Sequence, residues 1–478
     1  MSIKKNYFYN FSYTIVNLLV PIVTMPYITR VLGDNNIGIN GFTNSITMYF
    51  VFIGSLGISI YGNREVARVK DDKYKLSEVF IDLNIIQLMM AGLSIILFLI
   101  FVYFQKADLR VCFYAQGLLI LSVIFDISWY FQGLEDFKKI SIRNMIIRII
   151  NVSLIFSLVK NEHSLVIYII ITTGCTVIGQ VFMWPFIKNT ITLEKYHFEH
   201  KRVIVHLKKN SQLLMLQVFI QIYMYLGSTL LGYLSTIAQV AYYTLAIKII
   251  GILLSLSNIL NAVIMPRVSN LISKDKLIEA KECIYKSFKA TFIVNFPLLV
   301  IILVLGKRIV IWYFGMSFLP VTANLQILAL NLFIIPFGGI IGIQLLIPMG
   351  KERAVKYSPL LGLITNVILG VLIIPHFGSK GASITTLCTE FVGTIYGVFL
   401  AKKILNYYRV FSDAKKILIA SFIMLVVCAI LEKLFNYSMI SLFILVVISM
   451  VVYIGMLIVL KEDVVVKSFK KILWRQNV

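Results

Sequence analysis

The sequence predicts an all-α polytopic membrane protein of about fourteen transmembrane helices. They are arranged as two six-helix lobes with pseudo-twofold symmetry plus two C-terminal helices. Three observations carry this. The chain is 59% hydrophobic over 478 residues, with a mean hydropathy of +0.88, which no ordinary soluble domain reaches. Apolar runs of about twenty residues, the length that spans hydrocarbon as a helix, recur along the whole chain. The runs do not alternate between polar and apolar residues, as a membrane β-barrel requires.

In chain order the runs place helices at 7–29, 39–61, 79–104, 111–131, 142–160 and 165–187. A second set follows at 212–233, 239–264, 287–305, 321–347, 357–375 and 381–401, and a last pair at 415–435 and 439–460. The first run has a basic start like a signal peptide. It lacks a small-residue cleavage site and continues through Pro21 and Pro26 to Ile28, so it reads as an uncleaved helix. Leu32-Gly33 followed by Ile37-Gly38 aligns, with one inserted residue, to Leu231-Gly232 followed by Ile237-Ala238. Each stretch joins the first two helices of a six-helix unit. Two such units share one orientation, which predicts an axis along the membrane normal and a site between the halves. The expected domains are therefore an N-terminal lobe 1–187, a basic linker 188–211, a C-terminal lobe 212–401, and helices 13–14 with a tail at 402–478.

The 45 Lys and Arg against 22 Asp and Glu give a net charge of +23. This is not a nucleic-acid surface, because the basic residues are scattered through short loops. On one side of the predicted topology the loops and ends carry 34 of the 45, and on the other only 8. That asymmetry places both termini in the cytoplasm. The outer loops are too short for an extracellular domain. No Walker A sequence, and hence no ATPase of its own, is present. No cofactor, catalytic residue or metal set is expected. Cys112, Cys175, Cys283, Cys388 and Cys428 show no ligand or redox spacing, and His197, His200 and His206 lie in a basic loop without partners in ligand register.

The candidate site comes from polar groups inside apolar runs. Lys248 lies mid-helix, in a stripe with Thr244, Gly251, Ser255 and Asn258 at steps of three and four. A charge at that depth costs about 2.5–3.5 kcal/mol on insertion scales, so it usually faces water or a partner. Further stripes are Asn10, Asn17 and Thr24; Asn40, Asn44 and Thr47; Asn144, Arg148 and Asn151; and Gln217, Gln221 and Ser228. Any one amide stripe is equally well explained by helix–helix hydrogen bonds. Five together favour a hydrated cavity for an anionic, hydrogen-bonding cargo. Arg148 is a second candidate ligand, with an ion pair to Asp126 or Glu390 as the alternative. Asp126 and Glu390 would otherwise hold a coupling ion. Arg30 suits gating or snorkelling. Arg143 sits near a boundary, and Asp82, one turn from Glu78, reads as solvated. Helices 13 and 14 are nearly free of polar atoms and look lipid-facing.

Two segments resemble a known family. PYITRVLGDNNIG (26–38) looks like the first outer loop of Wzx-type polysaccharide flippases. LGISIYGNREVARVKDD (56–72) resembles their first cytoplasmic loop, with Arg64 in its motif, and AQVAYYTLAIKI followed by MPRVS is similar to their helix 8 region. The family belongs to the multidrug/oligosaccharidyl-lipid/polysaccharide exporter superfamily. The resemblance implies movement of undecaprenyl-diphosphate-linked oligosaccharide units across the bacterial cytoplasmic membrane by alternating access. It also implies membrane lipids as surroundings, and a polysaccharide polymerase and glycosyltransferases as neighbours in the process. Cations would hold the diphosphate and amides the sugar hydroxyls. The rival readings are a teichoic-acid or peptidoglycan lipid-precursor flippase, and a drug/cation antiporter, whose cavity needs carboxylates. A polymerase or ligase would need a substantial reactive outer loop. Pro21, Pro26, Pro266, Pro336 and Pro359 offer places where helices would bend during switching.

Overall fold

The computed structural model describes the backbone of residues 3–188, 190–192, 196–463 and 465, and the side chains of these except 3–15, 18, 211–220, 256, 258–263 and 353. Among the described residues the regular structure is entirely helical. The first part of the chain forms α1 (Ile3–Ser55), α2 (Ile58–Val69), α3 (Lys73–Tyr103), α4 (Ala107–Phe125), α5 (Ser128–Gly133), α6 (Phe137–Leu158), α7 (Leu165–Val181) and α8 (His200–Leu234). The remainder forms α9 (Ile237–Ser273), α10 (Leu277–Phe314), α11 (Val321–Ala329), α12 (Asn331–Gly339), α13 (Glu352–Val355), α14 (Tyr357–Ala401), α15 (Tyr407–Leu434) and α16 (Met439–Val459).

Eleven helical stretches of the described residues are long and apolar enough to cross a membrane. Two of these contain two crossings each, folded at a glycine: α1 at Gly33 (φ 76°, ψ 174°) and α14 at Gly378 (φ 54°, ψ −131°). With the 35-residue α8, this makes fourteen, the number the apolar runs predict. The two folds need positive φ, which an L side chain adopts only at a cost. The prolines expected to bend the chain sit mostly inside continuous helix: Pro21 and Pro26 in α1, Pro266 in α9, Pro336 in α12. Pro359 is the third residue of α14, where the missing N–H would have had no helical partner anyway. After Pro336 the backbone widens into a π-helical turn at Ile340–Leu346.

Two boundaries differ from the sequence reading. α8 begins at His200 instead of 212, so half of the expected basic linker is helix. α2 is a separate element, broken from α1 by Leu56 (φ 42°) and Gly57 (φ 70°). α3 starts where Asp72 accepts the backbone N–H groups of Tyr74 (3.1 Å) and Lys75 (3.2 Å), a side-chain N-cap. Those donors hold the Asp72 carboxyl below its usual range.

The chain divides into two compact units, 1–241 and 242–478. In hydrocarbon the hydrophobic effect does not drive helices together, so close packing by small residues matters more. In the first unit a Cβ on Gly62 would lie 2.7 Å from the Trp129 ring, and one on Gly133 2.5 Å from Val66. These two glycines let α2 and α5 meet around a core of Tyr61, Phe80, Trp129, Tyr130 and Phe131. At the sparsely charged end, a Cβ on Gly38 would meet the Ile237 carbonyl oxygen at 2.0 Å, and one on Gly232 the Phe42 ring at 1.9 Å. The two segments aligned as an internal repeat therefore pack glycine to bulky residue, each way round. In the second unit Phe288, Phe292, Phe333 and Phe337 stack at the centre, with ring centroids 4.7 Å apart for Phe288–Phe337 and 5.3 Å for Phe292–Phe333. Arg308 closes one end of that unit. It pairs with Glu432 (3.1 Å), donates to the Phe435 and Asn436 carbonyls (2.6 and 2.8 Å) and covers the Tyr437 ring. It thereby satisfies carbonyls that the end of α15 leaves without helical donors.

Gly38→Ala is expected to lower the stability of the detergent-solubilised protein by about 1–3 kcal/mol, because the contact it invades is backbone. Gly174→Ala, where a Cβ meets nothing within 4 Å, is the control and should leave the thermal midpoint unchanged. Equal midpoints for both variants would contradict the tight apposition.

Candidate functional site

α9 is held in place by one face and leaves the other open. Tyr242, Tyr243, Leu245, Ala246 and Ile250 are buried, and the Tyr243 hydroxyl is 2.7 Å from Thr386 Oγ1. Lys248 points the other way and is exposed. Among the described residues it has neither a carboxylate within ion-pair distance nor a hydrogen-bond acceptor. One turn on, a Cβ at Gly251 would meet no described atom within 4 Å, so among the described residues the lysine and its glycine neighbour border uncovered space. Ser255, on the same stripe, donates to the Ile252 carbonyl of its own helix (2.5 Å). Asn258 and Gln217 lie outside the described side chains, and Gln221 is half-buried.

The polar stripes of the first unit are engaged by neighbouring helices. Asn40 Oδ1 accepts from Gln116 Nε2 (3.0 Å), and Asn44 Nδ2 donates to Gln116 Oε1 (3.4 Å), so both amides close on one buried glutamine of α4. Arg148 donates to Asn17 Oδ1 at 2.9 Å, joining the α6 and α1 stripes. No ion pair links Arg148 to Asp126 among the described residues. Arg148 instead borders a cavity of about 150 Å³ with Asn144, Asn151, Thr172, Thr176 and Gln180. Asp126 caps its own chain, accepting from the Ser128 N–H (2.9 Å), and faces a separate cavity of about 220 Å³ with Ser55, Ser59, Gln87 and Ser122. Arg30 is exposed three residues before the fold at Gly33, and Arg64 is exposed on α2, 3.9 Å from Glu65. Glu390 is half-buried on α14. Thus Arg148, Asn40 and Asn44 belong to one unit, and Lys248 and Glu390 to the other.

One cluster escapes the sequence reading. Asp82 is fully buried at the basic end of α3, not solvated. It accepts from Arg202 and from the Tyr196 hydroxyl (2.8 Å), and Arg202 also pairs with Glu78 at 3.0 Å. Beside them the Tyr61 hydroxyl is 2.8 Å from His206 Nδ1. A charge and a histidine in the basic segment thus fix α8 to α2 and α3. The readable signal was a carboxylate inside an apolar run one turn from Glu78, opposite an Arg-bearing linker. Asp82 raises the Arg202 guanidinium above its usual range, and burial pushes the Tyr196 phenol up to about 12. Burial also lowers His206. Asp82 and Glu65 oppose that shift, while Lys209 and Arg202 reinforce it.

The sequence pattern of the family described as "Polysaccharide biosynthesis protein" matches residues 3–272, more than half of the chain. The chain belongs to that family. A Shigella dysenteriae protein named as an O-antigen transporter is 24% identical over 393 residues, covering 81% of this chain and 97% of that one. The fold is similar to a solved inward-closed structure of the lipid II flippase MurJ, with a TM-score of 0.68 over 96% of this chain and 99% of that one at 17% identity. It is also similar to an inward-facing multidrug resistance MATE family transporter of the MOP superfamily, with a TM-score of 0.59 over 81% and 98% at 14% identity. The chain is an integral membrane protein. In this family member the Tyr61-Gly62-Asn63-Arg64-Glu65 segment has a packing role: Gly62 seats Trp129, and Tyr61 meets His206.

The His206 contact makes stability depend on pH. An unfolded histidine takes up its proton near pH 6.5, whereas the buried one resists it. The contribution is complete above about pH 6.5 and is lost as pH falls from there towards the lowered folded value. The thermal midpoint in detergent is expected to fall between about pH 7.5 and 5.5, and His206→Gln should remove that component. An unchanged slope in the variant would rule His206 out as its source.

Proposed function

We propose that this protein is a flippase. It moves undecaprenyl-diphosphate-linked oligosaccharide repeat units across the bacterial cytoplasmic membrane by alternating access, for surface polysaccharide synthesis. The observation that carries this is Lys248, a cation in the middle of a membrane-length helix, which among the described residues has no partner and borders uncovered space. An uncompensated charge at that depth is costly unless something anionic visits it. A diphosphate supplies the charge, and the amide and hydroxyl groups of the polar stripes suit sugar hydroxyls. Family membership and the relative named as an O-antigen transporter support the polysaccharide reading. The basic loops support cytoplasmic termini. The proposed organisation is a lobe at 1–187, a linker at 188–211, a lobe at 212–401 and the final helices at 402–478. Arg148, Arg30, Arg64, Asn40, Asn44, Gln217, Gln221 and Asn258 are proposed to assist in binding, with Asp126 and Glu390 serving a coupling ion.

The test is deletion of the gene followed by complementation at matched expression, scoring surface polymer and inner-leaflet lipid-linked repeat units. Lys248→Ala should reduce surface polymer about tenfold, the weight of one charge-assisted contact, while repeat units accumulate inside. Lys248→Arg should restore more than Lys248→Ala. Unchanged glycans with raised drug sensitivity would favour the antiporter. Repeat units that reach the outer leaflet unpolymerised would mark a polymerase.

A further inference from the structure

The basic ends of α5, α6 and α7 enclose a groove of about 660 Å³ that the proposal above does not use. Its cations are Lys138, Lys139 and Arg143, and its apolar wall is Ile142, Phe182 and Phe186. Two carboxylates stand on the rim, and each is held by a lysine: Glu135 by Lys70 at 3.1 Å and Asp136 by Lys139 at 3.0 Å. With Lys70 included, the mouth sets four cations against two carboxylates. The Lys139 ammonium lies over the rings of Phe131 (5.2 Å) and Phe186 (5.5 Å), which keeps it at the groove. Arg143 is buried and braced by neutral acceptors: Gln180 Oε1 at 2.6 Å, Asn144 Oδ1 at 3.0 Å and Ser128 Oγ at 3.3 Å.

The apolar wall is open. Ile142, Phe182 and Phe186 are all exposed, and so are Ile146, Ile178 and Val181 further along the same two helices. That is a surface for acyl chains. Arg143 lines both the groove and the smaller cavity that Arg148 borders. Along α6, Lys139, Arg143 and Arg148 stand at successive helical rises of about 6 Å and about 7.5 Å.

We propose that this groove binds the phosphate headgroup of a membrane lipid, with the phosphate on Lys138, Lys139 and Arg143 and the first chain segment against Ile142, Phe182 and Phe186. Basic pockets between helices at the membrane boundary take such headgroups, and the cavity has the size of a small-molecule site. Anionic glycerophospholipids and polyprenyl phosphates share this chemistry. The inference is independent of what Lys248 contacts.

The test is native mass spectrometry of the full-length protein with phosphatidylglycerol, with undecaprenyl phosphate, and with inorganic phosphate alone. Two variants are compared with the wild type: Lys138→Ala combined with Lys139→Ala, and Ile142→Trp, which fills the groove and keeps every charge. Retained lipid should fall about tenfold or more in both. Loss of both lipids supports a site that reads phosphate on a lipid; loss of undecaprenyl phosphate alone supports one selective for the carrier. If the charge variant fails to fold, the filling variant decides. Retention unchanged in Ile142→Trp overturns the proposal. So does binding of inorganic phosphate with no lipid retained, which would make this a site for free anions.

Discussion

Inside hydrocarbon a charge or an unsatisfied hydrogen-bonding group costs several kcal/mol, and water is not there to relieve it. The structure is organised by that cost. Backbone groups are satisfied by helices. Among the described residues the helices are interrupted at the folds at Gly33 and Gly378 and at the Leu56–Gly57 break, and at one helix end Arg308 covers the carbonyls closing α15. Several polar side chains follow the same rule. Asn40 and Asn44 close on Gln116, Asp82 on Arg202 and Tyr196, and Arg148 on Asn17. Lys248 carries information because it is a charge inside an apolar helix with no described partner. Exposed arginines such as Arg64, which reach water at a helix end, carry much less.

The fold was legible because one variable, the length of apolar runs, sets the number of crossings. Local chemistry that departs from the run was harder to read. The reversals fall at glycines, while the prolines expected to let helices bend during switching sit mostly inside continuous helix, which tolerates proline when neighbours re-satisfy the freed carbonyl. A reversal of direction instead needs positive φ, which glycine gives most cheaply. The start of α8 was placed too late because His200–Asn210 is polar. Hydropathy detects membrane crossing, not helix, and this segment is a helix that continues past the apolar run.

The site was legible only as residue types. A stripe of amides in a sequence does not say whether the amides face each other or a ligand. In this structure Asn40 and Asn44 both meet Gln116, and no spacing rule applied to one helix could reveal a partner seventy-odd residues away. Asp82 failed in the opposite direction. It read as a solvated end charge because its partner, Arg202, lies 120 residues on in a segment taken for linker. Tertiary pairing decides both cases, and it is invisible to periodicity.

Charge engagement separates architecture from function in this chain. Asp82, Arg308 and Glu462 are nearly inaccessible, and each has an oppositely charged partner, at 2.7 Å for Lys289–Glu462. Breaking such a pair leaves a buried charge uncompensated, which makes these residues fasteners. Arg148 stands for a second class, a charged group that a neutral amide orients. Neutral acceptors fix the orientation of a guanidinium without cancelling its charge, which is the arrangement that suits a transient anion. Lys248 stands at the far end of the series, with no described acceptor at all. A cargo that must be released cannot meet sites already neutralised by carboxylates, nor sites that grip it too tightly. Cations oriented by neutral groups, or left open, satisfy both conditions.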